Sequence, residues 1–122
     1  MSNLITKENE IKEAIKRIVE SQSLISIDEE DFGDYDKVIG HQNFNLIDEK
    51  SEFVYLIDME TANITSKLIV NTAYNGSLTL AFLERILSEI RMTFDSKIEV
   101  IYGHSNGFHD DSITIDVFLI KK

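Results

Sequence analysis

Hydrophobic residues recur with helical spacing near the start of the chain. Ile11, Ala14, Ile15, Ile18 and Val19 fall at i, i+3, i+4, i+7 and i+8, one stripe of an amphipathic helix. Glu8 and Glu10 lie in its first turn and Lys16 and Arg17 later, the order that complements the helix dipole, and Glu8 to Lys12 and Glu13 to Arg17 add i,i+4 pairs. Thr6 is the expected cap, and the pattern decays at Ser21-Gln22-Ser23, whose short polar side chains compete for backbone hydrogen bonds. A second helical period joins Leu83, Ile86, Leu87, Ile90 and Phe94, predicting a helix from about Thr79 to Thr93.

Strand signals fill much of the rest. Phe53-Val54-Tyr55-Leu56-Ile57 is short, β-branched and aromatic, which predicts a buried strand, with Asp48-Glu49-Lys50-Ser51 as a hairpin-length loop before it. Lys67 to Asn71 reads as another strand, with the turn-forming pair Asn75-Gly76 beyond it. Lys97 to Tyr102 and Ser112 to Ile120 alternate with period two, the latter placing Ile113, Ile115, Val117 and Leu119 on one side. Between the first helix and the strands runs Asp-Glu-Glu-Asp-Phe-Gly-Asp-Tyr-Asp at residues 28–36, without apolar period, predicting a loop or short exposed turn. This order predicts an α+β fold: a two-layer sandwich of about four or five strands in a mixed sheet with two main helices. No repeat, linker or low-complexity tract interrupts residues 1–122, so a single domain is expected.

Composition narrows the function classes. The chain has 12 basic and 22 acidic residues, a net charge of −10, and its isoelectric point is near 4.6. Such a molecule is repelled by phosphate backbones and anionic lipid, so neither nucleic acid nor membrane is expected as a partner. With no Cys there is no disulfide, thiolate metal site or cysteine nucleophile. The start Met1-Ser2-Asn3-Leu4-Ile5-Thr6 has no basic region followed by a long apolar run, which leads to the expectation of a cytoplasmic protein.

The segment Leu68 to Ile120 resembles the C-terminal domain of FtsZ, the bacterial tubulin-like division GTPase. The resemblance is carried by Val70-Asn71, Asn75-Gly76, Leu78-Thr79-Leu80, Asp95, Tyr102-Gly103, Asp110-Asp111 and the alternating Ile113 to Val117. The first half can be laid on that family in two registers. In the favoured one, Glu8-Asn9, Glu13-Ala14 and Ser21 with Leu24 look like the helix preceding the Val-Asn strand, and residues 26–66 are an insertion. In the other, Ser26-Ile27-Asp28-Glu29-Glu30-Asp31 looks like the loop whose acids polarise the water attacking GTP in a neighbouring subunit, with Ser26 in place of the expected Asn. Either way the family's nucleotide domain is missing. Phosphate is cradled by glycine-rich loops because backbone N–H groups approach it only where side chains are absent, and the 5 glycines here are scattered. No GTP binding by this chain alone is expected.

Candidate chemistry is sparse. The run Asp28, Glu29, Glu30, Asp31, Asp34 and Asp36 is not an EF-hand, because counting from Asp28 puts Phe32 at position 5 and Ile39 at position 12, where calcium needs oxygen ligands. It reads either as a solvated charge run or as an electrostatic contact for a basic protein partner, with Phe32 and Tyr35 supplying aromatic area inside the charged rim. His104, His109, Asp110 and Asp111 share a predicted loop and are the candidate ligands of the competing class, a metal-assisted hydrolase. His41, alone beside Gly40, is expected at the surface. No serine lies in a Gly-x-Ser-x-Gly elbow, and the three arginines Arg17, Arg85 and Arg91 are dispersed, unlike a phosphate or dicarboxylate site.

The leading expectation is therefore a non-enzymatic interaction protein without catalytic residues or cofactor. Its partner-binding residues would be Asp28, Glu29, Glu30, Asp31, Phe32, Asp34, Tyr35 and Asp36. The protein would be of immunity or inhibitor type, or a regulator docking on a tubulin-like filament.

Overall fold

A computed structural model of the chain describes residues 4–21, 27–95, 97–105 and 112–121. Helix α1 spans Glu8–Glu20, two 3-10 turns cover Glu29–Phe32 and Tyr35–Lys37, and strand β1 runs Val38–Leu46. A short helix α2 (Met59–Ile64) leads directly into β2 (Thr65–Ala73), followed by α3 (Leu80–Arg91), β3 (Glu99–Ser105) and β4 (Ile113–Lys121). The strands form one mixed sheet in the order β1-β4-β2-β3. β4 is antiparallel to both neighbours, and β2 and β3 are parallel, joined through α3 as a parallel pair requires. Among the described residues no helix is long and apolar enough to cross a membrane.

The fold is an α+β sandwich with a four-stranded mixed sheet and two main helices, and those helices take opposite faces. Side chains alternate across a strand, so Leu68 and Val70 face one way and Ile69 the other. On the first face Leu68, Val70, Ile113, Ile115, Val117 and Leu119 meet Phe82, Ile86 and Ile90 of α3. On the second, Ile69, Phe118 and Ile120 meet Ile11, Ala14, Ile15 and Ile18 of α1. β4, central and covered on both faces, is buried from Ile113 to Ile120. Its Ile/Val/Leu alternation marks only one of those faces. The other holds Thr114, Asp116 and Phe118, a mixture that by itself suits a solvated side.

Several expectations change. Phe53 to Ile57 joins no ladder among the described residues. It crosses over the α3 face, where Phe53 and Tyr55 are buried against Phe44 and Phe94 while Val54 and Leu56 remain exposed. The strand on that side is β1, whose polar residues His41, Gln42, Asn43 and Asn45 hide its period. Thr6 is not the cap of α1: Lys7 takes that position without a side-chain bond. The Glu8–Lys12 pair forms at 3.0 Å, whereas Arg17 reaches Asp116 on the sheet. α2 was not anticipated; Asp58 caps it by accepting from the Thr61 N–H at 3.0 Å.

Candidate functional site

The acidic segment is a built structure. Asp28 to Asp36 folds as two successive 3-10 turns hinged at Gly33, whose φ of 64° is the left-handed conformation open to glycine. In the first turn the Asp31 N–H donates to the Asp28 carbonyl at 3.0 Å, and the Asp28 N–H donates to Asp31 Oδ2 at 2.8 Å. Lys67 Nζ donates to the Asp31 carbonyl, tying the turn to the start of β2.

The decisive contact is Phe32. It is only 1% exposed, its ring edge-on to Phe118 at a centroid distance of 5.0 Å and packed among Ile11, Ile15 and Ile18. This corrects the expectation that Phe32 offers aromatic area to a partner, since a ring committed to the core cannot. It anchors the turn instead. Tyr35 is half-buried, donates its O–H to Glu29, and lies under Lys12 Nζ at 5.6 Å from the ring centre. The bond to Glu29 raises the Tyr35 pKa, with burial and the Glu29 charge adding to it.

With Phe32 inside, Asp28, Glu29, Glu30, Asp34 and Asp36 are left exposed and Asp31 half-buried. Among the described residues none of these six carboxylates is in an ion pair. Beside them a groove of about 480 Å³ runs between the segment and α1, with Ile15 and Val19 apolar within it and Glu20, Glu29, Lys12, Lys16 and Tyr35 completing its lining. Its charged lining is balanced, two lysines against two glutamates.

A second polar cluster, missed from the sequence, lies under α1. Asp116 is fully buried on β4, and its Oδ1 accepts from His41 Nε2 at 2.7 Å, Asn43 Nδ2 at 2.9 Å and Arg17 at 3.2 Å. His41 is 3% exposed and stacked on Phe118, which corrects its expected place at the surface. A β1 bulge between Val38 and Gly40 shifts the register there. Asp116 Oδ2 and His41 Nδ1 are buried and have no hydrogen-bond partner among the described residues. Nearby, Ser21 Oγ donates to Ser105 Oγ at 2.9 Å, and Asn71 Nδ2 donates to the same oxygen at 3.0 Å. The cluster adds polar bonds to the apolar contact that packs α1 on the sheet. The available signal was an aspartate in a strand otherwise rich in Ile, Val, Leu and Phe.

Of the proposed metal ligands, His109, Asp110 and Asp111 lie outside the described residues. His104 is on β3, half-buried beside the Thr72 hydroxyl, and burial lowers its pKa. Among the described residues no three His, Asp or Glu side chains are grouped to hold a metal ion.

No protein-family model matches the sequence, and no curated protein does. Part of the chain is similar to a solved empty dimer of FtsZ from M. jannaschii, with 10% identity and a TM-score of 0.43 over 49% of this chain and 18% of that one. A tryptophan-to-tyrosine mutant of FtsZ from M. jannaschii gives 12% identity and a TM-score of 0.41 over 46% of this chain and 17% of that one. The chain thus spans less than a fifth of either FtsZ chain. The likeness is partial, as the resemblance over Leu68 to Ile120 also is, and neither nucleotide binding nor filament assembly passes to this chain through it.

Proposed function

We propose that this protein is a non-enzymatic interaction module that binds a basic protein partner through Asp28 to Asp36. The observation that carries the reading is six carboxylates without ion pairs among the described residues, on a turn pinned by Phe32. A solvated charge run needs no anchor in the core and no closed turn. A recognition surface benefits from both, because carboxylates already fixed in position lose less freedom on binding. Like charges held together attract a cationic surface from a distance. Tyr35 remains a partner-facing aromatic, while Phe32 acts through the shape it imposes. The biological form this favours is an immunity-type or inhibitor protein masking a cationic surface on its target.

Capture from source lysate tests the reading. Wild-type protein is compared with a variant carrying Asp28→Asn, Glu29→Gln, Glu30→Gln, Asp31→Asn, Asp34→Asn and Asp36→Asn, each from about 50 mM to about 500 mM salt. A basic protein retained by the wild type at low salt, and lost both on neutralisation and at high salt, is the expected result. A partner held equally by both proteins at every salt concentration removes the acidic segment from the account.

A further inference from the structure

A second groove, of about 760 Å³, opens where β2 begins and β4 finishes, walled by the end of α2 and the loop between α3 and β3. It shares no residue with the acidic segment. Its volume is that of a small-molecule site. We infer that it binds a small monocarboxylate with an aliphatic body, the head met by Lys97 and Lys121 and the body lying against Phe94 and Ile98.

The wall for the body is apolar and fixed. Phe94 and Ile98 are buried beneath it, Ala62 is half-buried, and Ile64 is exposed at its rim. Ile98 is held at both backbone groups, its N–H donating to the Asp95 carbonyl at 2.9 Å and its carbonyl accepting from the Arg91 guanidinium at 3.3 Å. The two hydroxyls of β2 in the wall are turned into the protein. Thr65 Oγ1 donates to the Thr61 carbonyl at 2.7 Å, and Ser66 Oγ to the Ile120 carbonyl at 3.3 Å. With both protons spent on the chain itself, an apolar body lies there without leaving a donor unpaired.

Charge selects the head group. Lys97 and Lys121 line the groove against one carboxylate, Asp95, whose Oδ1 already accepts from Lys97 N at 3.0 Å. Neither lysine is in an ion pair among the described residues. Two cations to one anion reverse the balance of a chain with 12 basic and 22 acidic residues. A large polyanion meets the repulsion of the whole molecule, whereas one carboxylate seated in the groove meets chiefly the charges within a screening length of about 8 Å. A small monoanion is therefore favoured over a nucleic acid or an acidic protein.

Calorimetry and amide chemical shifts of the full chain, titrated with decanoate and separately with decanol, test the site. Decanoate binds saturably, one per chain, with shifts at Thr65, Lys97 and Ile98, and decanol binds more weakly. Lys97→Gln with Lys121→Gln weakens decanoate about fivefold and leaves decanol unchanged, so decanol reports that the groove keeps its shape. Absence of saturable decanoate binding overturns the inference, as does equal binding of acid and alcohol by the wild type, or equal decanoate affinity in wild type and variant. Should circular dichroism show the variant unfolded, the salt dependence of the wild type decides. Decanoate affinity that falls between about 50 mM and about 500 mM salt supports the lysine contact, and unchanged affinity overturns it.

Discussion

At the scale of single residues, two side chains have roles that their neighbours in sequence conceal. Phe32 stands among acids and looks like an aromatic on a charged surface, yet its ring reaches Phe118 under α1. Asp116 looks like the polar side of an alternating strand, yet it gathers His41, Asn43 and Arg17 in the interior. Phe32 was misread and Asp116 missed for one physical reason. Periodicity reports which positions could share a face, and it does not report that a helix covers the second face of the sheet. Replacing Asp116→Ala leaves the buried imidazole of His41 and the Asn43 amide without their acceptor and costs about 3 kcal/mol, read from the urea midpoint. An unchanged midpoint would show that the cluster contributes no stability.

At the scale of elements, long amphipathic patterns were legible and short or polar ones were not. α1, α3, β2, β3 and β4 follow from the spacing of Ile, Leu and Val, with ends shifted by one to three residues. α2 escaped because six residues are too few to show a period, although Asp58 three residues before Thr61 is a cap signal. Phe53 to Ile57 has strand composition, but tertiary position overrides it, since the segment closes the core beside α3 instead of joining the sheet. The Asp58 cap makes a pH prediction. Its bonds from the Thr61 hydroxyl and N–H hold the carboxyl below its ordinary value of 3.8. A lowered folded-state pKa stabilises above the unfolded value, and that contribution is lost as pH falls through the folded value. Asp58→Ala therefore lowers stability at neutral pH and has little further effect at the acid end. Urea midpoints measured against pH for both proteins should converge below the ordinary aspartate range, and a constant gap would contradict the assignment.

At the scale of the whole molecule, a net charge of −10 acts in two opposed ways. On the proposed reading it draws a basic partner to the acidic segment, an attraction that salt weakens, and it holds copies of the chain apart, a repulsion that salt also weakens. Raising salt should therefore release the partner, which a salt titration of the captured complex reads directly. The location of the charge was legible in the sequence. Its rigidity was not, because nothing local to residues 28–36 indicates that Phe32 finds α1 and Phe118.

That rigidity is the central claim, and Phe32→Ala isolates it, for the substitution leaves all six carboxylates in place. Titration calorimetry with the captured partner, at a temperature where circular dichroism shows the variant folded, compares its affinity with that of the wild type. Held carboxylates are what the account requires, and it predicts that Phe32→Ala binds at least about tenfold more weakly. Equal affinity would contradict it, showing that charge alone, without the anchored turn, is what the partner recognises.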